Sequence, residues 1–369
     1  MSGWRRRWVA IRNAFLTNDR FQRWAAMFPP TRGFARGDAE RLFDIMGGFV
    51  YSQTTLAFVQ SGLLDRVASG PASVHELAGV SDLSEAAARR LARAAAALDL
   101  TEEVSPDVYA LGRLGAAMRA DPSLAAMARH NGEFYFDLSD PLALLRGSAQ
   151  QLRMPRYWGY AGNPEAAELT PEQAKAYSDL MAGTQKMVAE EVLAAYPIRR
   201  HRKLLDVGGG AGAFAAAAMT RAPDLSASVF DLPAVATLAR GRFEESGFGG
   251  RGSAIGGDFF NSPLPEGFDL VSLVRVLHDH DDEPAMALLR RIREALPKGG
   301  TLLIGEPMSD GAGARRIGDA YFGFYLLAMG SGRARRSGEI RGMLRAAGFA
   351  KTRKWRTNLP LVASVVTAS

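Results

Sequence analysis

His278 stands in the run Leu277-His278-Asp279-His280, and Glu306 follows the apolar run Thr301–Gly305. An imidazole beside a carboxylate can accept a proton with its tautomer selected and its imidazolium stabilised. Upstream, Asp206-Val207 leads into Gly208-Gly209-Gly210-Ala211-Gly212, a glycine turn whose backbone can approach a ligand closely. A turn built for pyrophosphate presents N–H groups to negative charge, which Asp206 would oppose. A ligand with an amino group and a sulfonium, as in S-adenosylmethionine, suits that carboxylate better. Asp206, Gly208 and Gly210 are therefore cofactor candidates. Asp231, with Leu232 after it, falls about 20 residues beyond the glycines, where an acid accepts hydrogen bonds from ribose hydroxyls. Asp258 can meet an adenine amino group, with Phe259 against the ring. Each residue type also has a plain use, the Asp as a cap or turn former and the His as a surface side chain. Three acids ending three successive strands favour the binding role. His278, Asp279, His280 and Asp282 crowd together without the i, i+4 pair of helical His ligands, so no metal is expected.

These side chains need a frame, and from Lys203 strands and helices alternate as in a doubly wound α/β domain. Strands are predicted over Leu204–Val207, Ser226–Phe230, Ser253–Ile255 (weakly), Leu270–Val274 and Thr301–Gly305. Helices are predicted over Ala213–Arg221 and Ala285–Leu296, the second opened by Pro284 and the acids before it. Ligands in such sheets bind at the carboxyl edge, where the acids and His278 fall. An aromatic helix follows over Gly318–Met329, then a basic loop with Arg333, Arg335 and Arg336, a helix to Gly348, and two strand-like runs, Thr352–Arg356 and Leu361–Thr367. A terminal hairpin separates this pattern from a plain dinucleotide fold.

The upstream half reads differently. Residues 1–36 hold eight Arg and one acid, Asp19, interleaved with Trp4, Trp8, Phe15, Phe21, Trp24 and Phe28 before a break at Pro29-Pro30. Such a segment suits an interface with anionic lipid, or an arm packing its aromatics on the protein body; the spacing leaves both open. Two helices are expected over Asp38–Ala68, interrupted near Gly47-Gly48 and Gly62. A helix capped by Ser73, another from Ser84 to Leu98 and a hairpin over Leu100–Tyr109 describe a winged-helix unit. Arg89, Arg90 and Arg93 on its second helix raise a DNA-binding regulator as the reading from another class. Its alanine-rich surface and few base-reading side chains favour a structural or dimer-forming role and no nucleic acid. Residues 112–200 read as helical, with loops around Pro122, Pro141 and Met154–Pro164. Phe134-Tyr135-Phe136, Tyr157-Trp158-Gly159-Tyr160 and a helix from Thr170 with Tyr177, Met181 and Met187 serve either the core or an apolar pocket between domains.

At 369 residues and 47% hydrophobic, with no membrane-spanning apolar run, a soluble protein of more than one domain is expected. The absence of Cys removes thiolate chemistry, and no signal peptide is present, so a cytoplasmic location is expected. The divisions read from the pattern are a basic aromatic arm (1–36), a winged-helix-like domain (37–115), a helical linker and pocket region (116–200) and the cofactor-binding domain (201–369).

Asp-Val-Gly-Gly-Gly-Ala-Gly at 206–212, Phe-Asp-Leu-Pro at 230–233, Gly-Asp-Phe-Phe at 257–260, Leu-His-Asp at 277–279 and Lys-Gly-Gly at 298–300 together resemble the S-adenosylmethionine-dependent small-molecule O-methyltransferases. Within that family, Phe43-Asp44, Gly48-Phe49-Val50-Tyr51-Ser52-Gln53, the N-terminus and Asn358-Leu359-Pro360-Leu361 resemble the hydroxycarotenoid (demethylspheroidene-type) O-methyltransferases of purple photosynthetic bacteria. The resemblance implies an α/β class I methyltransferase sheet with a C-terminal antiparallel hairpin, preceded by a mostly helical winged-helix dimerisation domain. It implies a homodimer through that domain, with S-adenosylhomocysteine as product. The acceptor would be a small apolar hydroxylated molecule, most closely the tertiary hydroxyl of an acyclic carotenoid; another aromatic, tetrapyrrole or polyketide metabolite is the alternative. Such an acceptor gives the N-terminal arm a purpose at a membrane surface. By position the cofactor contacts fall on Gly208, Asp231, Asp258, Phe259 and Arg275, the base on His278 and its support on Glu306. Tyr177, Met181, Phe322 and Met329 are the pocket candidates. A second Glu of phenolic members corresponds to Ala334, and a Trp after His-Asp to His280. These departures imply a His278 without a second carboxylate and weigh against a phenol.

Overall fold

The computed structural model describes residues 3–157, 185–310, 314–360 and 362–369. Two compact units emerge, Met1–Ala120 and Asp121–Ser369.

The first unit opens with helices Gly3–Leu16 and Asp19–Met27, the latter capped by the Asn18 side chain. A 32-residue helix, Pro29–Gln60, then runs through Gly47-Gly48 without the expected interruption. Two interior glycines cost about 1 kcal/mol each, too little to break a helix that is otherwise continuous. Pro29 and Pro30 occupy its first turn, where the missing N–H costs nothing. Trp4, Trp8, Phe15 and Trp24 are exposed. Leu63–Ala68 and Val74–Ser81 follow, the second opened by a Ser73–Glu76 capping box. Helix Glu85–Ala97 is capped by Ser84 and packs Ala88, Ala92 and Ala95 inward. Strands β1 (Ala72–Ser73), β2 (Thr101–Ser105) and β3 (Val108–Leu111) form an antiparallel sheet in the order β1-β3-β2, completing the winged-helix pattern. Arg89, one of the three arginines considered for phosphate, forks onto the Asp107 carboxylate at 2.7 and 3.0 Å.

In the second unit Pro122 and Pro141 open helices Pro122–Asp137 and Pro141–Leu145, capped by Asp121 and Asp140. Those prolines mark helix starts and not the loops expected around them. Strands β4 (Lys203–Val207), β5 (Ser226–Asp231), β6 (Gly252–Gly256), β7 (Leu270–Val274), β8 (Thr301–Glu306), β9 (Thr352–Trp355) and β10 (Ser364–Ala368) build a seven-stranded sheet in the order β6-β5-β4-β7-β8-β10-β9. The first five are parallel, while β10 runs antiparallel between β8 and β9, as the hairpin expectation required. Successive side chains enter opposite cores. Leu204, Leu303 and Val365 meet Phe214, Ala218 and Phe243 on one face; Leu205, Leu302 and Val366 meet Leu288, Ile292 and Leu344 on the other. Burial of both faces explains the continuous apolar strands. The sheet order reverses between β4 and β7, which opens a crevice at their carboxyl ends.

Candidate active site

The penultimate residue of β4 is Asp206, which is 1% exposed. In register it lies opposite Ser272 of β7, whose hydroxyl donates to its Oδ1 at 2.5 Å. Its other oxygen, Oδ2, is buried with no hydrogen-bond partner and lies under the glycine turn, 2.5 Å from where a Cβ on Gly209 would sit. Burial, aided by the nearby Asp231 charge and opposed by the Ser272 hydrogen bond, pushes the Asp206 pKa up to about 7. Gly208, Gly210 and Gly212 all have positive φ. A Cβ on Gly208 would strike Val276 at 2.8 Å, so only glycine fits this turn, whereas one on Gly210 would meet nothing within 4 Å.

The Asp231 carboxylate accepts from the Gly210 N–H and the Leu232 N–H, each at 2.8 Å, and so ties the turn to the end of β5. Burial pushes its pKa up to about 6, against the pull of these bonds. Lone pairs remain on both oxygens for further donors. Asp258 accepts from the Phe260 N–H and from Asn261, so it shapes its own turn. Phe259 and Phe260 both pack edge-on against His280 and against each other, with ring centroids 4.8 to 5.7 Å apart. His280 thus fills an aromatic slot as a ring, where burial lowers its pKa. Asp206, Gly208, Gly210, Asp231, Leu232 and Phe259 therefore converge on one crevice. The donor set fits S-adenosylmethionine: an orphaned buried carboxylate oxygen and a second acid suit a cationic, hydroxyl-bearing ligand, and open space lies over Gly210.

β7 is followed by Arg275, whose φ of +59° is uncommon outside glycine and whose N–H donates to the Gly305 carbonyl. A single 3₁₀ turn, Leu277–Asp279, then presents His278, which is buried. Its Nδ1 makes a short contact with Oε2 of Glu306, while Oε1 of that carboxylate accepts the Val276 and Leu277 N–H groups at 3.0 and 2.8 Å. Its Nε2 lies 3.1 Å from Oδ1 of Asp279. The expectation of a single carboxylate partner is thereby corrected. Ala334 supplies none, but the tight turn brings the adjacent Asp279 onto the second nitrogen. Burial alone would lower the His278 pKa; Asp279 and Glu306 outweigh it, and the net direction is up.

His278, Asp279 and Arg275 face a cavity of about 400 Å³ within the second unit. Leu124, Met127, Val188, Ile317 and Phe322 line it with apolar surface, and Phe322 sets its ring edge-on to His278 at 5.6 Å. A π-helical turn, Arg316–Tyr321, delivers Tyr321 to the wall, and helix Phe322–Met329 delivers Tyr325. Tyr321 donates to Asn131 at 2.9 Å, and Tyr325 shares a hydrogen bond with Nε2 of His130 at 2.8 Å. Burial holds His130 down to about 4 and Tyr321 up to about 12, so both are neutral at pH 7. Met329 does not line this cavity. It lies two helical turns beyond Phe322, roughly 10 Å along the axis, packed on Phe134, Leu144 and Met154. Tyr177 and Met181 lie outside the described residues, as do Trp158, Gly159, Tyr160 and Leu361. Among the described residues no cluster of metal-ligating side chains is present.

Sequence reasoning missed the Asp279 contact, the His130–Tyr325 and Asn131–Tyr321 pairs, and the burial of Arg335. Only the His-Asp adjacency and the aromatic helix signalled any of these.

A family model described as an O-methyltransferase domain matches residues 135–350. The chain is 42% identical to demethylspheroidene O-methyltransferase of Cereibacter sphaeroides, over 95% of this chain and 92% of that one. It is 40% identical to the protein of the same name from Rhodobacter capsulatus, over 90% and 82%. Human N-acetylserotonin methyltransferase, solved with S-adenosylmethionine, superposes with a TM-score of 0.73 at 25% identity, covering 90% of this chain and 97% of its own.

Proposed function

Since the chain belongs to the S-adenosylmethionine-dependent O-methyltransferases, we propose that its acceptor is the tertiary hydroxyl of an acyclic carotenoid, and that His278 removes the hydroxyl proton. The observation that carries this reading is His278, buried between Glu306 and Asp279 on the wall of an apolar cavity. The two relatives at 42% and 40% identity whose names specify a carotenoid support the acceptor class, as does a wall whose His130 and Tyr321 are neutral. When bound, S-adenosylmethionine supplies an electrophilic methyl group on a sulfonium. Asp206, Gly208, Gly210, Asp231 and Leu232 would hold it at the carboxyl ends of β4 and β5, with Phe259 against Gly208, Asp258 in the turn beside Phe259, and Arg275 at the cavity.

A phenol, with a pKa of about 10, lies about 3.5 units above an ordinary imidazole, whereas an alkyl alcohol at ~16 lies about 9 units above it, too far for ionisation before attack. His278 therefore takes the proton as the new C–O bond forms, and the two carboxylates make it a stronger base for that step. Glu306 holds Nδ1 and fixes the ring, leaving Nε2 on the cavity side with Asp279. Much of the acceleration comes from positioning in a water-poor site. Incubation with labelled S-adenosylmethionine and a panel of hydroxycarotenoids, phenols and a tetrapyrrole tests the acceptor. Label transfer to the acyclic hydroxycarotenoid is expected, and transfer only to a phenol or tetrapyrrole would sink this assignment.

The apolar acceptor gives a role to helix Gly3–Leu16. Trp4, Trp8, Ile11 and Phe15 recur at helical spacing and are all exposed, Trp4 by 72%, beside Arg5, Arg6, Arg7 and Arg12. No helix among the described residues is long and apolar enough to cross a membrane, so the contact proposed is peripheral. Phe43, Ile45, Met46 and Phe49 of the long helix are exposed too and suit the homodimer that the family resemblance implies. The full chain is expected to sediment as a dimer and to float with anionic liposomes, and deletion of residues 1–27 to abolish flotation only. Flotation indifferent to the deletion refutes the membrane role, and a monomer in solution refutes the dimer.

A further inference from the structure

We infer that Arg335, gripped by Asp282, is a positioning residue for the base, holding the backbone on both sides of His278. Its side chain is carried by the loop before helix Ser337–Ala346, yet Arg335 is only 2% exposed. One guanidinium nitrogen donates to the Leu277 carbonyl at 2.8 Å and another to the His280 carbonyl at 2.8 Å. Nε and the second nitrogen also donate to Oδ1 of Asp282, at 2.9 and 2.8 Å. The carbonyls of residues 277 and 280 bracket His278 in sequence and in space.

A lone 3₁₀ turn is a weak structure, since its hydrogen bonds are poorly aligned. Here the turn is held from opposite ends. Glu306 takes the N–H groups of Val276 and Leu277, and Arg335 takes the carbonyls of Leu277 and His280. The same loop adds the Ser331 hydroxyl on the Asp279 carbonyl, and the Gly332 N–H on Asp281. Gly332 has a φ of +88°, and a Cβ there would fall 2.2 Å from the His278 carbonyl, so the loop lies directly against the turn. Only a planar fork can reach two carbonyls and a carboxylate together; a lysine ammonium is a single point on a flexible stem. Asp282 supplies the counter-charge that a buried guanidinium requires, and Arg333 forks onto both oxygens of that carboxylate at 3.0 Å, sharing Oδ1 with Arg335.

The inference rests on His278 acting as the base, and its test is a double-mutant cycle with that residue. Arg335→Lys is expected to lower kcat about 100-fold, the scale of a misplaced catalytic group. KM for both substrates should hardly move, and the acidic limb of the kcat–pH profile should move toward lower pH as the carboxylate bracket loosens. On the His278→Ala background, the same change should cost less than about twofold more, because the positioned group is gone. Asp282→Asn, which keeps an acceptor oxygen and removes the charge, should repeat the pattern with a smaller loss. Equal losses on both backgrounds, an unchanged kcat, or failure of both variants to fold would overturn the positioning role. Full turnover by His278→Ala alone would instead overturn the assignment of the base.

Discussion

His278→Ala is expected to lower kcat by about 10²–10⁴-fold, the range that general-base catalysis contributes, while S-adenosylmethionine binds with unchanged affinity. The ring contacts Glu306, Asp279 and Phe322 and not the glycine turn, so its removal spares the cofactor crevice. The wild-type rate has a matching signature in pH. Because the His278 pKa is raised above 6.5, the free base forms only above that value, and kcat should rise with pH through a limb lying higher than 6.5. The stability carried by the protonated ring has the opposite trend: it is fully present below 6.5 and is lost as pH rises through the raised value. A variant with wild-type turnover, or a limb below 6.5, would remove His278 from the mechanism.

Asp206→Asn is expected to weaken cofactor binding by at least about tenfold, roughly the loss of one charge-assisted contact in a partly polar site. It should also remove most of the pH dependence of binding. In the wild type, Asp206 is protonated below about 7, and a cation above the turn favours its ionised form. Binding therefore releases a proton, and affinity should climb with pH up to about 7 and then level off. In the variant, Asp231 remains, so any residual slope belongs below about 6. The free protein responds in reverse. Both carboxylates have raised pKa values, so the stability they contribute is complete below the ordinary value near 4 and is lost as pH rises through about 6 and about 7. Thermal melts of the variant should be flatter over that interval, and calorimetric titration across pH 5.5–8 reads the binding side. A variant that binds as tightly as the wild type with the same pH slope would show that Asp206 only supports the fold.

The strands, their order in the chain and the acids at their ends were legible because such signals are local. An apolar run of five residues bounded by turn formers is read without knowing its neighbours, and Asp206, Asp231 and Asp258 mark where β4, β5 and the loop after β6 reach the carboxyl edge. The same local reading failed at Gly47-Gly48, where helix continuity outweighs two weak residues, and at Pro122 and Pro141, where a proline opens a helix as readily as it ends one. Met329 shares a helix face with Phe322, and only its height along the axis removes it from the cavity.

The sequence by itself determined that a glycine turn, three strand-end acids and a His–Glu pair would share one edge of a doubly wound sheet, since parallel strands deliver their ends to one side. Which atoms meet there was decided by the tertiary structure alone. Glu306 is 28 positions from His278 and Arg335 is 57, and no periodicity spans such distances. Asp279 adjoins His278, but only the 3₁₀ turn held between Glu306 and Arg335 brings its carboxylate to Nε2. Burial completes the outcome: the water excluded from this edge pushes the Asp206 and Asp231 carboxyls up to about 7 and about 6, while Asp279 and Glu306 raise the His278 imidazole against the pull of its burial.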